Sequence, residues 1–335
     1  MDTEAITRAI EASEFTGVVL IRRGDDTLFQ AATGVAKRAD GTPITLETRF
    51  DTASITKLFT AAAVLQQVEV GALDLDASIH EYVELDDTTI GRKVQLVHLL
   101  THTSGVADAV DEAAGEDYSE LWADRPASSI VDTADLLPLF ADKEPLFAPG
   151  SDVEYSDAGY VLLGMAVESV TGISYREYVE QQVFRIAGMT DSGFFDRRTD
   201  VPGLADGGDV DEDGEWHSNV DAYPPLGSPD AGAQSTAADL VTFLRAARGA
   251  KLLTQETTEE FTSPQVDVDE EVSFGFGFEF DFDEDGAVRS MYLDGVNAGA
   301  SGIVRHYFAA DTDVVVLSNS EDGAWDVIRE IDAQF

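Results

Sequence analysis

The chain has 335 residues, with 65 Asp and Glu against 21 Lys and Arg, for a formal net charge of −44. With so little basic surface to neutralise phosphates, neither nucleic acid nor an anionic membrane surface is an expected partner. The absence of cysteine removes a disulfide framework and a thiolate metal site from consideration.

The first element is a helix over about 4–13, followed by a hairpin of strands 17–22 and 28–32 turned at Gly24-Asp25-Asp26. The N-terminal residues Met1-Asp2-Thr3-Glu4 lack the basic and apolar regions of a signal peptide, and no apolar run is long enough to span a bilayer, so a cytoplasmic protein is expected. A helix begins near Ser54. Asp51 or Thr52 can cap it, Leu58, Ala62, Leu65 and Val68 recur at helical spacing, and Gly71 sits where a left-handed C-terminal residue belongs. A second apolar helix runs from about 157 to 170 and stops at Gly172. The stretch 201–229, rich in Gly, Asp and Pro, reads as a long loop able to roof a cleft. Strands return at 274–282, 288–293, 303–308 and 314–318, before a last helix containing Trp325, Ile328 and Ile331.

Terminal segments of one class around a helical middle predict an α/β (α+β) fold. One antiparallel sheet is built from both chain ends, with flanking helices and a mostly helical middle packed beside it. The expected organisation is a single unit over 1–335, with sheet-containing parts 1–50 and 270–335 and a helical subdomain 51–269.

Ser54-Ile55-Thr56-Lys57 carries the chemistry. Residues three apart share a helix face, so the Lys57 amine can reach the Ser54 hydroxyl, and the first turn of a helix favours a developing oxyanion. Taken alone, the same tetrapeptide is what a capping serine and a solvated lysine give.

Further segments follow in order. They are Phe50-Asp51-Thr52-Ala53-Ser54, Leu73-Asp74-Leu75-Asp76, His98-Leu99-Leu100-Thr101-His102-Thr103-Ser104-Gly105, and Phe147-Ala148-Pro149-Gly150. Then come Tyr155-Ser156-Asp157-Ala158-Gly159-Tyr160, Gly188-Met189-Thr190 and Ser235-Thr236-Ala237-Ala238-Asp239-Leu240. In these the chain resembles, over nearly its whole length, the serine β-lactamase and penicillin-binding-protein-like family. The resemblance is to the class C type, which also contains esterases and D-amino-acid peptidases.

The resemblance implies that Ser54 is the nucleophile, Lys57 its amine partner, and Tyr155 the base for Ser54 and later the acid for the leaving group. A phenol beside Lys57 is expected to ionise more readily, because a cation favours the phenolate. Asp157 stands where the family's second motif has an asparagine. At this substrate-binding position a carboxylate only accepts hydrogen bonds, so a donor toward substrate is lost, and it should hold Lys57 protonated. Aligning Gly299-Ala300-Ser301-Gly302 with the family's glycine-rich strand puts Val296-Asn297-Ala298 where Lys-Thr-Gly or His-x-Gly sits. The resemblance then implies that Asn297, Ala298 and Gly299 face substrate, with a backbone N–H near Gly299 as second oxyanion donor and no cation to hold a substrate carboxylate. The active site is expected at the seam where Ser54, Tyr155 and the strand 296–299 converge.

Asp209-x-Asp211-x-Asp213-Gly214 and Asp281-x-Asp283-x-Asp285-Gly286 imitate a calcium loop, but Val220 and Tyr292 occupy the twelfth position, where a bidentate glutamate belongs. The second reads as a hairpin turn; Asp209, Asp211 and Asp213 remain weak cation candidates. His98 and His102, four apart without an internal glutamate, read as packing or capping residues rather than zinc ligands. No Gly-x-Ser-x-Gly elbow is present. The expected protein is a cofactor-free serine hydrolase forming an acyl-enzyme on Ser54, with small esters or amides as substrates. The alternatives are a β-lactamase or D-amino-acid peptidase, and a non-catalytic binding or scaffolding module on the same fold.

Composition also predicts salt dependence. The acids are spread along the chain and repel one another across the folded surface, and at molar salt the screening length falls to about 3 Å. A halophilic protein is expected. Its melting temperature should climb steeply between low and molar KCl, and a melting temperature flat across that range contradicts the expectation.

Overall fold

Val18, Val19, Leu20 and Ile21 are all buried, because their strand is covered on both faces. In the computed structural model, which describes residues 1–110, 121–122, 125–211 and 214–335, Val18 and Leu20 join the main core, while Val19 and Ile21 join a second, smaller cluster. Side chains alternate across a strand, so one sheet separates the two cores. Each such side chain stabilises the fold by about 1.5–3 kcal/mol relative to exposure.

The strands of this sheet, numbered in chain order, are β1 (Gly17–Arg23), β2 (Asp26–Thr33), β3 (Val266–Asp267), β4 (Val272–Phe274), β5 (Glu279–Phe282), β6 (Val288–Asn297), β7 (Ala300–Tyr307) and β8 (Thr312–Ser318). Their spatial order is β2-β1-β8-β7-β6-β5-β4-β3, with antiparallel pairing throughout. The first strand therefore lies beside the last, Gly17 opposite Ser318. This is the sheet from both chain ends that the sequence predicts. Helix α1 (Thr3–Ala12) and the C-terminal helix (Trp325–Asp332) cover one face through Ile6, Ile10, Val327, Ile328 and Ile331.

The other face carries the helical part. Helix α2 (Lys57–Glu69) is buried at every position from Lys57 to Leu65, so it runs through the core rather than over it. Phe59 meets Phe184 and Phe243 edge-on, with ring centroids 4.8 and 4.9 Å apart. After the short helix α3 (Leu96–Leu100), helix α4 (Asp157–Thr171) packs beside α2 and ends at Gly172, which has φ +72°. Gly164 of α4 touches Pro229: a Cβ there would lie 2.1 Å from the proline Cγ. That close approach brings the 229–231 segment against the base of α2.

Three local expectations change. The strand expected over 274–282 is broken at Gly275-Phe276-Gly277, where Gly277 takes φ +89° and lies over the Lys57 carbonyl. The helix expected from Ser54 opens as a 3-10 turn, Ala53–Thr56, before becoming α-helical at Lys57. The loop 201–229 contains a small hairpin, Gly208–Val210 with Trp216–Ser218. It is also pinned at its far end: Asn219 Nδ2 donates to the Ala298 carbonyl at 2.7 Å, and the Tyr223 hydroxyl donates to Asp51 Oδ2 at 3.0 Å.

Both acidic runs accept backbone N–H groups. Asp283 Oδ1 accepts the Asp285 and Ala287 N–H groups and closes the β5–β6 hairpin. Asp209 accepts the Glu321 N–H, and Asp211 accepts the Glu215 N–H and contacts His217; Asp213 lies outside the described residues. Among the described residues no helix is long and apolar enough to cross a membrane.

Candidate active site

Ala53 has φ +45°, a left-handed conformation that costs a non-glycine residue about 1–3 kcal/mol. Its surroundings hold it there. Asp51 Oδ1 accepts the Ala53 N–H at 2.8 Å, the Gly232 N–H reaches the Ala53 carbonyl, and the Thr52 N–H and hydroxyl both donate to the Ala233 carbonyl. The strained turn lifts Ser54 to the head of α2, half-buried, while Ala53, Ile55 and Thr56 around it are buried.

Lys57 is fully buried, and its ammonium has three donors. Each is used. Nζ lies 3.0 Å from Ser54 Oγ, 2.6 Å from Asp157 Oδ1 and 2.9 Å from the Asp230 carbonyl oxygen. Burial is the largest single influence and pushes this amine down, but the charges of Asp157, Tyr155 and Asp230 and the hydrogen bond to Asp157 together outweigh it, so the group sits well above the ordinary lysine range. Lys57 is therefore an ammonium that donates to Ser54 and cannot take its proton.

Tyr155 lies against the same cation, with Nζ 4.9 Å from its ring centroid. Burial raises the phenol to about 12; the Lys57 charge and hydrogen bonding with Lys57 and Ser54 pull it down only in part. The easier ionisation expected from the neighbouring cation is overturned by burial, the largest influence on this phenol. The cluster at rest therefore holds a neutral phenol beside an ammonium.

Asp157 is the first residue of α4, and its backbone is itself held. The Asp157 and Ala158 N–H groups donate to the Asp108 carboxylate at 3.0 and 2.7 Å, and Ser156 Oγ donates to Asp108 Oδ1 at 3.0 Å. Burial, and then the Asp157 charge, raise the Asp108 carboxyl to about 7. The same two causes raise Asp230 to about 6, against the opposing pull of Lys57. Neither Asp108 nor Asp230 was foreseen, since each reaches the cluster from a loop with no motif of its own. His98 and His102 do not converge: His98 Nδ1 accepts the Gln95 N–H at the start of α3, whereas His102 Nδ1 accepts the Ser156 N–H. Among the described residues no group of three or more His, Cys, Asp or Glu is arranged to hold a metal ion.

The third element of the site departs from its expected register. Gly299 has φ +70° and, with Ala298, forms the tip of the β6–β7 hairpin, packed on the backbone of Gly207 and Gly208. The Ala298 carbonyl is occupied by Asn219, and Asn297 Nδ2 is covered without a hydrogen-bond partner. Gly295 is the glycine of this strand at Ser54: a Cβ there would lie 2.6 Å from the Thr52 carbonyl oxygen and 2.9 Å from Ser54 N. The expected motif position thus moves from Val296-Asn297-Ala298 to Leu293-Asp294-Gly295. Strand alternation puts Leu293 on the Gly295 face, where it is 1% exposed in the core, and Val296 on the opposite face, 49% exposed. The correction keeps the missing cation, now a leucine in place of a lysine or histidine.

Gly295→Ala tests this contact. Its backbone suits alanine, so the methyl acts only by pressing on the Thr52–Ser54 turn. We expect about 1–3 kcal/mol lost in urea unfolding and a fall in kcat of about 100-fold. An unchanged kcat contradicts the placement.

The model for the family described as Beta-lactamase matches residues 4–335. Esterase EstB of Burkholderia gladioli is 37% identical over 189 residues, covering 53% of this chain and 46% of that protein. Penicillin-binding protein 4* of Bacillus subtilis (strain 168) is 28% identical over 188 residues, covering 56% of this chain and 40% of that protein. The chain spans about half the length of the curated relatives it matches. Among solved structures, the penicillin binding protein from Bacillus halodurans is 36% identical with a TM-score of 0.93, over 98% of this chain and 100% of that one. The D-stereospecific amidohydrolase from Streptomyces sp. is 25% identical with a TM-score of 0.82, over 100% and 99%. With its fold, its Ser54–Lys57 turn and a family match running from residue 4 to the last residue, this chain belongs to the β-lactamase family.

Proposed function

We propose that the protein is a serine hydrolase that forms an acyl-enzyme on Ser54, with neutral esters or small amides as its substrates. The observation that carries this reading is the Lys57 ammonium, held by Asp157 and the Asp230 carbonyl while donating to Ser54 Oγ.

Ser54 Oγ attacks the substrate carbonyl carbon, and its proton passes to the Tyr155 phenolate oxygen. Lys57, already an ammonium, stabilises the developing alkoxide by charge. The carbonyl oxygen takes the negative charge between two backbone donors. One is the Ser54 N–H. The other is the Val296 N–H: Asn297 and Ala300 close a two-residue turn and face each other, so Val296, one residue back, directs its N–H to the opposite edge. That edge is open to the site, because β5 pairs with β6 only as far as Tyr292. Tyr155 then returns the proton to the leaving group, the carbonyl re-forms, and water repeats the sequence against the acyl-enzyme.

Substrate charge follows from the same residues. Leu293 offers no cation where the resemblance implies one, the Asp157 carboxylate is paired with Lys57, Asp230 lies close to both, and Asp108 holds the Asp157 backbone. A substrate carboxylate gains no ion pair from Leu293 and is disfavoured by the neighbouring acids. Similarity to proteins named esterase and D-stereospecific amidohydrolase supports ester and amide chemistry. The net charge of −44 supports work at high salt.

A hydrolysis panel in molar KCl tests the proposal, with p-nitrophenyl esters, D-amino-acid p-nitroanilides and a carboxylate-bearing chromogenic cephalosporin. Esters should turn over fastest, and Ser54→Ala should remove all activity above background. A base raised to about 12 is ionised in about one molecule in 10⁵ at pH 7. Its active fraction grows as protons are removed, so kcat/KM should rise about tenfold per pH unit between pH 7 and 10. A flat profile contradicts Tyr155 as the base, and faster cleavage of the cephalosporin contradicts the ester preference.

A further inference from the structure

His102 belongs to no step above, yet it touches the residues on both sides of the proposed base. It has φ +58°, a left-handed conformation unusual for histidine. That geometry turns both its backbone and its ring toward the segment carrying Tyr155. The Glu154 N–H donates to the His102 carbonyl at 2.9 Å, and the Ser156 N–H donates to His102 Nδ1 at 3.0 Å. The residues flanking Tyr155 are thus both fastened to one residue. The pairing continues along the chain, from the Gly150 N–H to the Thr103 carbonyl at 2.8 Å and from the Leu146 N–H to the Gly105 carbonyl at 2.9 Å.

The ring does more than accept a hydrogen bond. It stacks on the Tyr155 ring with centroids 4.5 Å apart and planes 20° from parallel. Its other neighbours are Tyr160, at 5.2 Å and 29°, and Phe274, at 4.9 Å and edge-on. His102 is 4% exposed. The Tyr155 ring is thus stacked on His102 and lies 4.9 Å, centroid to Nζ, from the Lys57 ammonium.

We propose that His102 is the positioning residue for Tyr155, holding the phenol in line with Ser54 and Lys57 through the Ser156 N–H and the ring stack together. The proposal rests on the reading of Tyr155 as the proton carrier.

The ring must be neutral to do this, since Nδ1 is an acceptor only without its proton. The charged and titratable groups around it are Lys57 of α2, Asp157 and Tyr160 of α4, and Tyr155 itself; β4 contributes the uncharged Phe274. Burial, and then repulsion from Lys57, lower the imidazole to about 3, with Asp157 opposing. The proton of the neutral ring therefore sits on Nε2, and the stack carries no charge across the working pH range.

Three variants separate the two contacts. Asn tolerates the left-handed backbone and places an oxygen near the Nδ1 position, so His102→Asn keeps the acceptor and loses the stacking face. His102→Phe keeps a ring and loses the acceptor, and His102→Ala loses both. Tyr155→Phe serves as reference. Relative to wild type, His102→Ala should lower kcat by about 100-fold, with Asn and Phe intermediate, while KM for a neutral ester stays within about twofold.

The pH profile supplies the readout that a merely structural defect would not move. Removing the ring lets water reach the phenol and brings its pKa down toward the ordinary value of about 10. The alkaline rise in kcat/KM should then level off at lower pH in His102→Ala than in wild type. A variant that only lost folded protein would show the wild-type profile scaled down at every pH. That result, or an unchanged kcat in His102→Ala, overturns the proposal if Tyr155→Phe is inactive. If Tyr155→Phe keeps full activity, the reading of Tyr155 as proton carrier fails and the positioning role falls with it.

Discussion

A lysine ammonium with no contact to water is the constraint around which the site is arranged. An uncompensated buried cation is strongly destabilising, so Lys57 persists only because three acceptors meet its three protons. One acceptor is local, Ser54 one turn before, and two come from distant parts of the chain, Asp157 at the head of α4 and the Asp230 carbonyl just after the 201–229 stretch. Charge compensation at one atom thereby fixes how the two core helices and that segment meet. Each piece has its own support, from Asp108 at the head of α4 to Gly164 against Pro229.

The same arrangement determines what each group can do. An asparagine at position 157 would leave Lys57 with a neutral partner and an easier deprotonation; the carboxylate makes the lysine a fixed charge. In the proposed mechanism proton transfer then falls to Tyr155, which is buried beside that charge and held neutral at rest. In the same proposed mechanism the strained Ala53 turn and the bare edge of β6 provide the remaining element, the Ser54 and Val296 N–H groups as donors to the substrate carbonyl oxygen. Strain of this kind survives because Asp51, Gly232, Ala233 and Gly295 all constrain it, as expected of a site preorganised before substrate arrives.

Much of this was legible in the sequence wherever the signal was local. The i, i+3 spacing of Ser54 and Lys57, the left-handed glycines after α2 and α4, and the return of strand patterns at the end of the chain each depend on neighbours in sequence. What stayed hidden depends on neighbours in space. Asp108 and Asp230 are two aspartates among many in an acidic chain, and only folding shows that one holds the head of α4 and the other lies beside Lys57. Gly295, Gly299 and Gly302 stand within eight residues, and a hairpin-tip glycine cannot be told by sequence from one that admits another backbone. Choosing the wrong one shifted the motif and put Val296 where Leu293 belongs. The phenol was misjudged for a related reason: the cation beside Tyr155 could be inferred from a motif, while its burial could not.

The claim on which the rest stands is that this lysine-centred turn makes Ser54 a nucleophile, and the direct measurement is covalent capture. Incubation with a fluorophosphonate in molar KCl, followed by intact-mass analysis and peptide mapping, should show one addition per chain, on Ser54. Addition at another residue, or no addition to Ser54 in protein that still hydrolyses an ester, would contradict the account.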